Sequence, residues 1–426
     1  MLKEIITQQK NEKAKLITKD FINREKIAEA KRDLSSNLIK VILGPRRAGK
    51  SVFSHLLLKD KDFAYLNFDD DNLVSIENSD EIIKCIFEVY KKPRFLLFDE
   101  IQNLKNWELF VNKLHRRGFN LILTGSNANL LSKELSTSLT GRHFAYELFP
   151  FTFTEFLDSK KVSIAKDDLN NIRTNPEVKG EILNHLSEYL LHGGFPEVVV
   201  KNYEPKQYLA TLLDSILLKD IVKRHNVRFS QKIEDLFTYL VSNFSSEFSF
   251  TRLKNILSFN STHTLQNYLK YLNDAYLIFS LNRYSNKIKE QINAPKKLYL
   301  VDNGFIEAKG FQISKNTGRL IENCVFIELL NRKYRINLDL FYYKTRNQKE
   351  IDFILRKGIK VSELIQICYD LSDPYTEKRE INALLEGSEE LKCNNLKIIT
   401  WDKEKEIKIS KKKILFIPLF KWLLTK

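Results

Sequence analysis

Hydrophobic positions along the chain recur in two periods, and the places where one gives way to the other outline its elements. Residues 1 to 36 carry Leu2, Ile5, Ile6, Leu16, Ile17, Phe21, Ile22 and Ile27 as an apolar stripe among charges, which predicts a helical lead-in packed on a core. Residues 39–42, interrupted only by Lys40, predict a buried strand, and Val52, Phe53 and residues 56–58 supply a helical apolar face just after it. Residues 63–68 alternate as a strand that stops at the acidic turn 69–72, and residues 80–91 read as a helix. Residues 95–98 are continuously apolar, the pattern of a strand buried on both faces. Strands at 120–127 and 144–148 continue the alternation, and such an alternation predicts an α/β core with a parallel sheet.

Beyond residue 150 the period changes. Residues 150–228 are helical in pattern, broken by a turn at 192–197 and resumed at 212–222. Helices at 233–241, 252–257 and from about 262, the last with Leu265, Tyr268, Leu269, Tyr271 and Leu272 facing inward, precede strands at 276–281 and 297–301. A basic segment, 283–297, joins those strands, and three helices with a basic hairpin predict a winged helix. Its third helix offers Ser261, His263, Thr264, Gln266, Asn267 and Lys270 to the edges and phosphates of DNA, and the wing offers Arg283, Lys287, Lys289, Lys296 and Lys297. A protein contact is the competing use of the same face. The last stretch, 306–426, reads as a helix at 320–330 and strands at 340–344, 349–355 and 363–368.

Composition narrows the picture. A chain of 426 residues holds two to four domains and needs no covalent staples, and its net charge of +15 suits a polyanionic partner or simple solubility equally well. The four cysteines, Cys85, Cys324, Cys368 and Cys393, lie far apart with no CxxC pair, which argues against zinc and disulfides and for a reducing, cytoplasmic setting. No apolar run approaches the roughly 18 residues of a membrane span, and the Met-Leu-Lys-Glu start lacks a signal peptide's apolar region, so no membrane partner is expected.

The chemistry starts at the end of the first strand. Gly44-Pro45-Arg46-Arg47-Ala48-Gly49-Lys50-Ser51 has the two glycines that let backbone N–H groups curl around a phosphate, and a helix start that adds its dipole. Lys50 is placed to reach the β- and γ-phosphates of ATP, and the Ser51 hydroxyl to enter a Mg²⁺ shell. Asp99 and Glu100 follow the 95–98 strand at the end where open α/β sheets gather ligands. Asp99 is the candidate second Mg²⁺ partner and Glu100 the candidate base that polarises the attacking water. Ser126 or Asn127, after the next strand, would orient that water, with a simple turn as the alternative. Arg142 either completes a neighbour's ATP site in a homo-oligomer or binds a local carboxylate.

The order GPRRAGKS, FLLFDEIQN with Trp107 after it, LILTGSNANLLSKEL and LTGRHFAYELFPFTFTEF resembles the AAA-type ATPases of archaea and bacteria related to the STAND and origin-recognition branches. The resemblance runs on through LLHGGFPEVV at 190–199. It implies ATP and Mg²⁺ as cofactors, an ATP-driven switch coupled to DNA, the roles just given for Lys50, Ser51, Asp99, Glu100 and Asn127, and Arg142 as the arginine-finger candidate. The expected divisions are a P-loop AAA-type parallel-sheet core at 1–149, a helical lid at 150–228, a winged-helix domain at 229–305 and a final domain at 306–426.

That final domain resembles the restriction-endonuclease-like α/β fold, whose metal site combines a helix Glu, a strand Asp and an E-x-K. Glu322 and Asp352 match, but the E-x-K place reads Gln366-Ile367-Cys368. A neutral amide is a weaker Mg²⁺ ligand than a carboxylate, and Cys supplies no cation, so the expectation is a fold kept for binding with its nuclease silent. An ATP-regulated endonuclease and a STAND-like scaffold that binds protein are the two alternatives.

Overall fold

A computed structural model describes residues 2–17, 21–74, 76, 79–128, 141–164, 175–310 and 316–425. They belong to two compact units, Met1–Phe151 with Asp274–Tyr276, and Thr152–Asn273 with Leu277–Lys426.

The first unit opens with α1 (Leu2–Ile17) and α2 (Ile27–Asp33), the two parts of the predicted lead-in. It then alternates β1 (Ile39–Leu43), α3 (Lys50–Leu57), β2 (Phe63–Asn67), α4 (Asp71–Val74), α5 (Ser79–Tyr90), β3 (Phe95–Asp99), α6 (Trp107–Arg116), β4 (Asn120–Gly125) and β5 (His143–Glu147). The sheet order is β2-β3-β4-β1-β5 with every neighbouring pair parallel. Parallel pairing needs crossovers, and the helices that supply them cover both faces, so β1 and β3 are buried along their whole length. One consequence decides function: all five C-terminal ends, Leu43, Asn67, Asp99, Gly125 and Glu147, open on one end of the sheet.

β2 is an outer strand, and α1 covers its free edge. The Gln9 side-chain amide donates to the Asn67 carbonyl at 3.1 Å and accepts from the Asn67 N–H at 2.9 Å, as a further strand would. The Lys13 ammonium lies 3.6 Å from the centre of the Phe63 ring.

The second unit begins with α7 (Phe153–Ser159), closed by a capping box between Thr152 and Glu155. Helices α8 (Pro176–His192), α9 (Pro196–Lys201) and α10 (Pro205–Ser215) follow, and α10 runs into a π-helical stretch, Ile216–Lys223, where one continuous helix had been expected. Next come α11 (Ser230–Ser242), β6 (Glu247–Phe248), α12 (Phe250–Ile256), α13 (Thr262–Asp274), β7 (Ile278–Asn282), α14 (Ile288–Asn293) and β8 (Lys296–Leu300), with the strands antiparallel in the order β6-β8-β7. The predicted basic hairpin thus carries a short helix, α14, between its strands.

After α15 (Gly304–Lys309) comes α16 (Thr317–Asn331), buried at every position from Leu320 to Leu330. Strands β9 (Leu340–Lys344), β10 (Glu350–Lys357) and β11 (Lys360–Cys368), helix α17 (Pro374–Leu391), strands β12 (Leu396–Thr400), β13 (Lys405–Ile409) and β14 (Lys412–Pro418), and α18 (Leu419–Leu424) complete the chain. Their sheet runs β13-β14-β12-β11-β10-β9, antiparallel at β9–β10–β11 and parallel at β11–β12–β14.

The 192–197 turn has a role the sequence did not suggest. Its Gly194 N–H donates to Asp302 Oδ2 at 2.8 Å, the Gly304 N–H takes Oδ1 at 2.8 Å, and the Phe195 and Phe305 rings lie 5.1 Å apart. Gly193 has φ 76°, and a Cβ there would fall 1.7 Å from Asp302 Oδ1, so only glycine fits. Residues 302–305 of its own unit thus pack into this turn.

Candidate functional site

The phosphate loop is held open by its neighbours. β1 ends at Leu43, whose carbonyl accepts from the Leu148 N–H at 2.7 Å, and this brings Gly44 so close that a Cβ would lie 2.0 Å from the Leu148 carbonyl oxygen. Buried Arg24 donates one arm of its guanidinium to the Ala48 carbonyl at 2.8 Å and the other to the Phe149 carbonyl at 2.6 Å, tying the loop to the chain beyond β5. Gly49 (φ 90°) caps α3 without any side chain, so the first turn of that helix keeps its N–H groups for an anion. Inside the loop, Lys50 Nζ donates to the Pro45 carbonyl at 3.0 Å and lies 3.5 Å from Glu100 Oε1.

Asp99 closes β3 with both carboxylate oxygens engaged. Thr124 Oγ donates to Oδ1, the Tyr65 hydroxyl donates to Oδ2 at 3.3 Å, and the Ser51 hydroxyl also bonds to this carboxylate. Burial, with the charge of Glu100 added, raises the Asp99 pKa against the opposing effects of Ser51, Thr124 and Lys50. Glu100, at φ 51°, accepts on Oε2 from the Ser126 N–H at 3.2 Å, from Ser126 Oγ at 2.9 Å and from Gln102 Nε2. Burial pushes Glu100 up, but Lys50, Gln102, Arg46 and Ser126 outweigh it and hold its pKa below the ordinary value. Two adjacent carboxylates are thereby driven apart, one raised and the other lowered, as in pairs that divide acid and base roles.

The residues Lys50, Ser51, Asp99 and Glu100, singled out in sequence, meet here, and the donor set fits Mg²⁺ and a nucleotide: a hydroxyl, a buried carboxylate, an ammonium and a helix N-terminus. Pro45, Arg46, Arg47 and Ala48 form the curl between the two glycines, and Arg46 faces Asp69 at 3.8 Å. Of the two candidates for holding the catalytic water, Ser126 is bonded to Glu100, and Asn127 follows it at the same end of the sheet. The resemblance motif between residues 129 and 140 lies outside the described residues.

Arg142 is elsewhere. It immediately precedes β5, and its carbonyl accepts from the Ile39 N–H at 2.9 Å, at the N-terminal end of the sheet. Gly44 is a five-residue strand away, about 16 Å at the usual strand rise, so a role for Arg142 at the loop of its own chain is excluded. Arg142 instead lines an open hollow of about 440 Å³ with Leu109, Asn112, Lys113 and Arg116.

Thr124, Gln102 and Arg24 were missed in sequence. Thr124 carried a signal, a polar residue near the end of an apolar strand; Arg24 carried none, standing among Asn23, Glu25 and Lys26.

In the second unit, Glu322 and Asp352 converge, joined by Glu350, around a lysine assigned above to the wing. Lys297 Nζ lies 2.7 Å from Glu322 Oε1, 2.8 Å from Glu350 Oε1 and 3.0 Å from Asp352 Oδ1. It is 1 % exposed and is no contact for DNA phosphate. Burial raises the Glu322 pKa to about 7 despite the opposing ammonium, and Asp352 is raised for the same reason. Gln366 accepts from the Asp352 N–H at 3.3 Å and donates to Glu380 at 2.7 Å, whereas Cys368 packs in the hydrophobic core of this sheet. Among the described residues no group of three or more His, Cys, Asp and Glu stands ready to hold a metal ion.

On α13, His263, Gln266 and Lys270 are exposed and Asn267 is half-buried, one stripe opposite buried Leu265, Tyr268, Leu269 and Leu272. Lys287 and Lys289 are exposed, Lys287 pairing with Glu290 at 3.1 Å. Two wing candidates are spent on structure: Arg283 donates to the Lys344 carbonyl at 3.4 Å and bridges to Tyr342, and Lys296 donates to Asn282.

The parallel sheet and its phosphate loop fall in the stretch, residues 36–157, that the AAA domain family matches. Domains of unknown function DUF8612 and DUF4143 match residues 183–314 and 317–420. The chain belongs to the family of the uncharacterized protein MJ1544 of Methanocaldococcus jannaschii, to which it is 40 % identical over 97 % of its own length and 92 % of that protein. An uncharacterized protein of Haemophilus influenzae is 31 % identical over 79 % of this chain and 84 % of its own. Among solved structures, the Walker-type ATPase PABY2304 of Pyrococcus abyssi aligns with 68 % of this chain and 96 % of its own, at 14 % identity and a TM-score of 0.43. No helix among the described residues is long and apolar enough to cross a membrane.

Proposed function

We propose that this protein is a Mg²⁺-dependent ATPase that uses its phosphate loop as a switch coupled to DNA. The observation that carries the reading is the buried constellation at the C-terminal ends of the strands: Lys50 between the Pro45 carbonyl and Glu100, with Asp99 behind the Ser51 hydroxyl. Mg²⁺ bound there would neutralise phosphate charge and orient the triphosphate. Lys50 leaves Pro45 and Glu100 to bind the β- and γ-phosphates, and the N–H groups of the loop and of α3 close around them. Glu100, relieved of Lys50 and held through Ser126 and Gln102, accepts a hydrogen bond from the attacking water. Asn127 lies within the same end and orients that water.

The hollow lined by Lys113, Arg116 and Arg142 supports a second copy presenting its γ-phosphate to this cationic face, with Arg142 acting in trans. In the second unit, the order α11, β6, α12, α13, β7, β8 supports a winged helix at 229–305 that presents His263, Gln266, Asn267 and Lys270 to DNA. The path α16, β9, β10, β11, α17, β12 supports an endonuclease-like fold at 306–426 used for binding, and the helices of 150–228 supply the lid.

Turnover of radiolabelled ATP by the wild type, Lys50→Ala and Glu100→Gln tests the enzymatic part. Lys50→Ala should lose nucleotide binding, and Glu100→Gln should bind ATP while hydrolysing it on the order of a hundredfold or more slowly. A wild type that turns over no ATP sinks the proposal.

A further inference from the structure

Lys297 is placed unlike any other lysine described. It belongs to β8 of the three-stranded sheet, yet its ammonium ends among carboxylates from other elements: Glu322 of α16, and Glu350 and Asp352 of β10, at 2.7, 2.8 and 3.0 Å. Three oxygens satisfy the three N–H donors of an ammonium. Each central carboxylate is fixed independently, Glu322 by the Tyr299 hydroxyl at 2.6 Å and Asp352 by the Ile367 N–H at 2.9 Å. The pairing of β10 with β9 slips between Ile351 and Ile354, a bulge of the kind that re-aims a side chain, and Asp352 sits in it.

We infer that the Lys297 ammonium is the resident cation of this cluster, standing where an oxygen-ligated divalent ion would otherwise be held, and that it keeps such ions out. Carboxylates do not converge on a buried point without a cation, because their mutual repulsion and desolvation oppose it. Carboxylate oxygens are also the ligands that Mg²⁺ and Mn²⁺ select. A tethered ammonium wins the place because it is never diluted: it is delivered by the fold itself, at an effective concentration no free ion matches. An incoming ion would have to push the ammonium of a side chain only 1 % exposed off the Glu322 oxygen that it shares with the Tyr299 hydroxyl, leaving a buried charge unpaired. Gln366 and Cys368 then need no metal-directed chemistry: the amide of Gln366 bridges Asp352 and Glu380, and the thiol of Cys368 is core. None of this rests on the phosphate loop.

The test uses the full chain without nucleotide, in an Asp99→Asn background so that the phosphate-loop site takes up no metal. Mn²⁺ uptake is followed by electron paramagnetic resonance, and thermal melting is recorded with and without Mn²⁺. Lys297→Met, which keeps the stem and removes the charge, should bind one Mn²⁺ per chain at least tenfold more tightly than the unaltered cluster and should melt higher when Mn²⁺ is present. Lys297→Met/Asp352→Asn should lose both effects. Two results overturn the inference: Mn²⁺ uptake with Lys297 in place that Asp352→Asn abolishes, or a Lys297→Met protein that Mn²⁺ neither binds nor restores to its folded state.

Discussion

Thr124 is the side chain on which the proposed nucleotide site turns, and replacing it by valine removes one hydroxyl with almost no change of shape. Its Oγ donates to Asp99 Oδ1 and accepts the Glu100 N–H at 3.1 Å, and the residue is fully buried. A hydrogen bond to a buried charged group contributes about 1.5–3 kcal/mol, and an amide N–H left without its acceptor costs about 1–3 kcal/mol. The added methyl returns about 0.8 kcal/mol of apolar burial. The net expectation for Thr124→Val is a loss of about 2–5 kcal/mol. Thr124→Ser keeps the hydroxyl and loses only the methyl, so it should stay within about 1 kcal/mol of the wild type.

Function should separate the two variants more sharply. With Thr124 gone, Asp99 loses one of the bonds that favour its charged form, its pKa rises further, and protons compete better with Mg²⁺. Urea unfolding measures the first effect, and a Mg²⁺ titration of ATP turnover at two pH values measures the second. Thr124→Val should need more Mg²⁺, increasingly so at the lower pH, and Thr124→Ser should not. If Thr124→Val unfolds within about 0.5 kcal/mol of the wild type and keeps its Mg²⁺ requirement, the hydroxyl does not link the two carboxylates.

Asp302 makes the second unit pH-dependent. Burial raises its pKa from 3.8 to about 7 against the two N–H donors. A carboxyl raised on folding favours the folded state in its protonated form, so stability is greatest below 3.8 and declines until pH passes about 7. The span corresponds to about 4 kcal/mol, and Asp302→Asn should flatten the pH 4–8 stability profile at the expense of one hydrogen bond. Gly193→Ala should destabilise the same region by displacing Asp302, seen as a lower melting temperature with the first unit's ATP turnover retained. If α13 meets DNA, Lys270→Ala should weaken duplex binding and reduce its salt slope by about one, and Gln266→Ala should relax sequence preference with the slope unchanged.

The first unit was legible because its information is local. A loop of eight residues, a strand of apolar residues ending in two acids, and alternation of period sufficed to place Lys50, Ser51, Asp99 and Glu100 together. What stayed hidden depended on pairing across the sheet. Thr124 matters because β4 lies beside β3, and Arg142 is remote because β5 runs parallel to β1, neither of which is written in the residues themselves. In the second unit the gap is wider. Lys297 sits in a basic run and reads as one more phosphate contact until the fold carries it away from solvent into three carboxylates. The glycine pair at 193–194 looks like a free turn until Asp302, more than a hundred residues on, fills it.

Each unit therefore holds a lysine among buried carboxylates, and the geometry assigns them opposite fates. Lys50 is only 3.5 Å from a single carboxylate oxygen and otherwise borrows a main-chain carbonyl, so a triphosphate with its greater charge can draw the ammonium away without orphaning Glu100, which keeps Ser126 and Gln102. Lys297 has three carboxylates within 3.0 Å, and no anion can reach it except by leaving Glu322 and Asp352 buried without their counter-ion. A cation loosely held beside an opening takes part in chemistry, whereas one surrounded on every side prevents it. The same residue type thus leaves the first unit ready for a nucleotide and closes the second to metal, which is why ATP turnover and Mn²⁺ uptake should respond to different lysines.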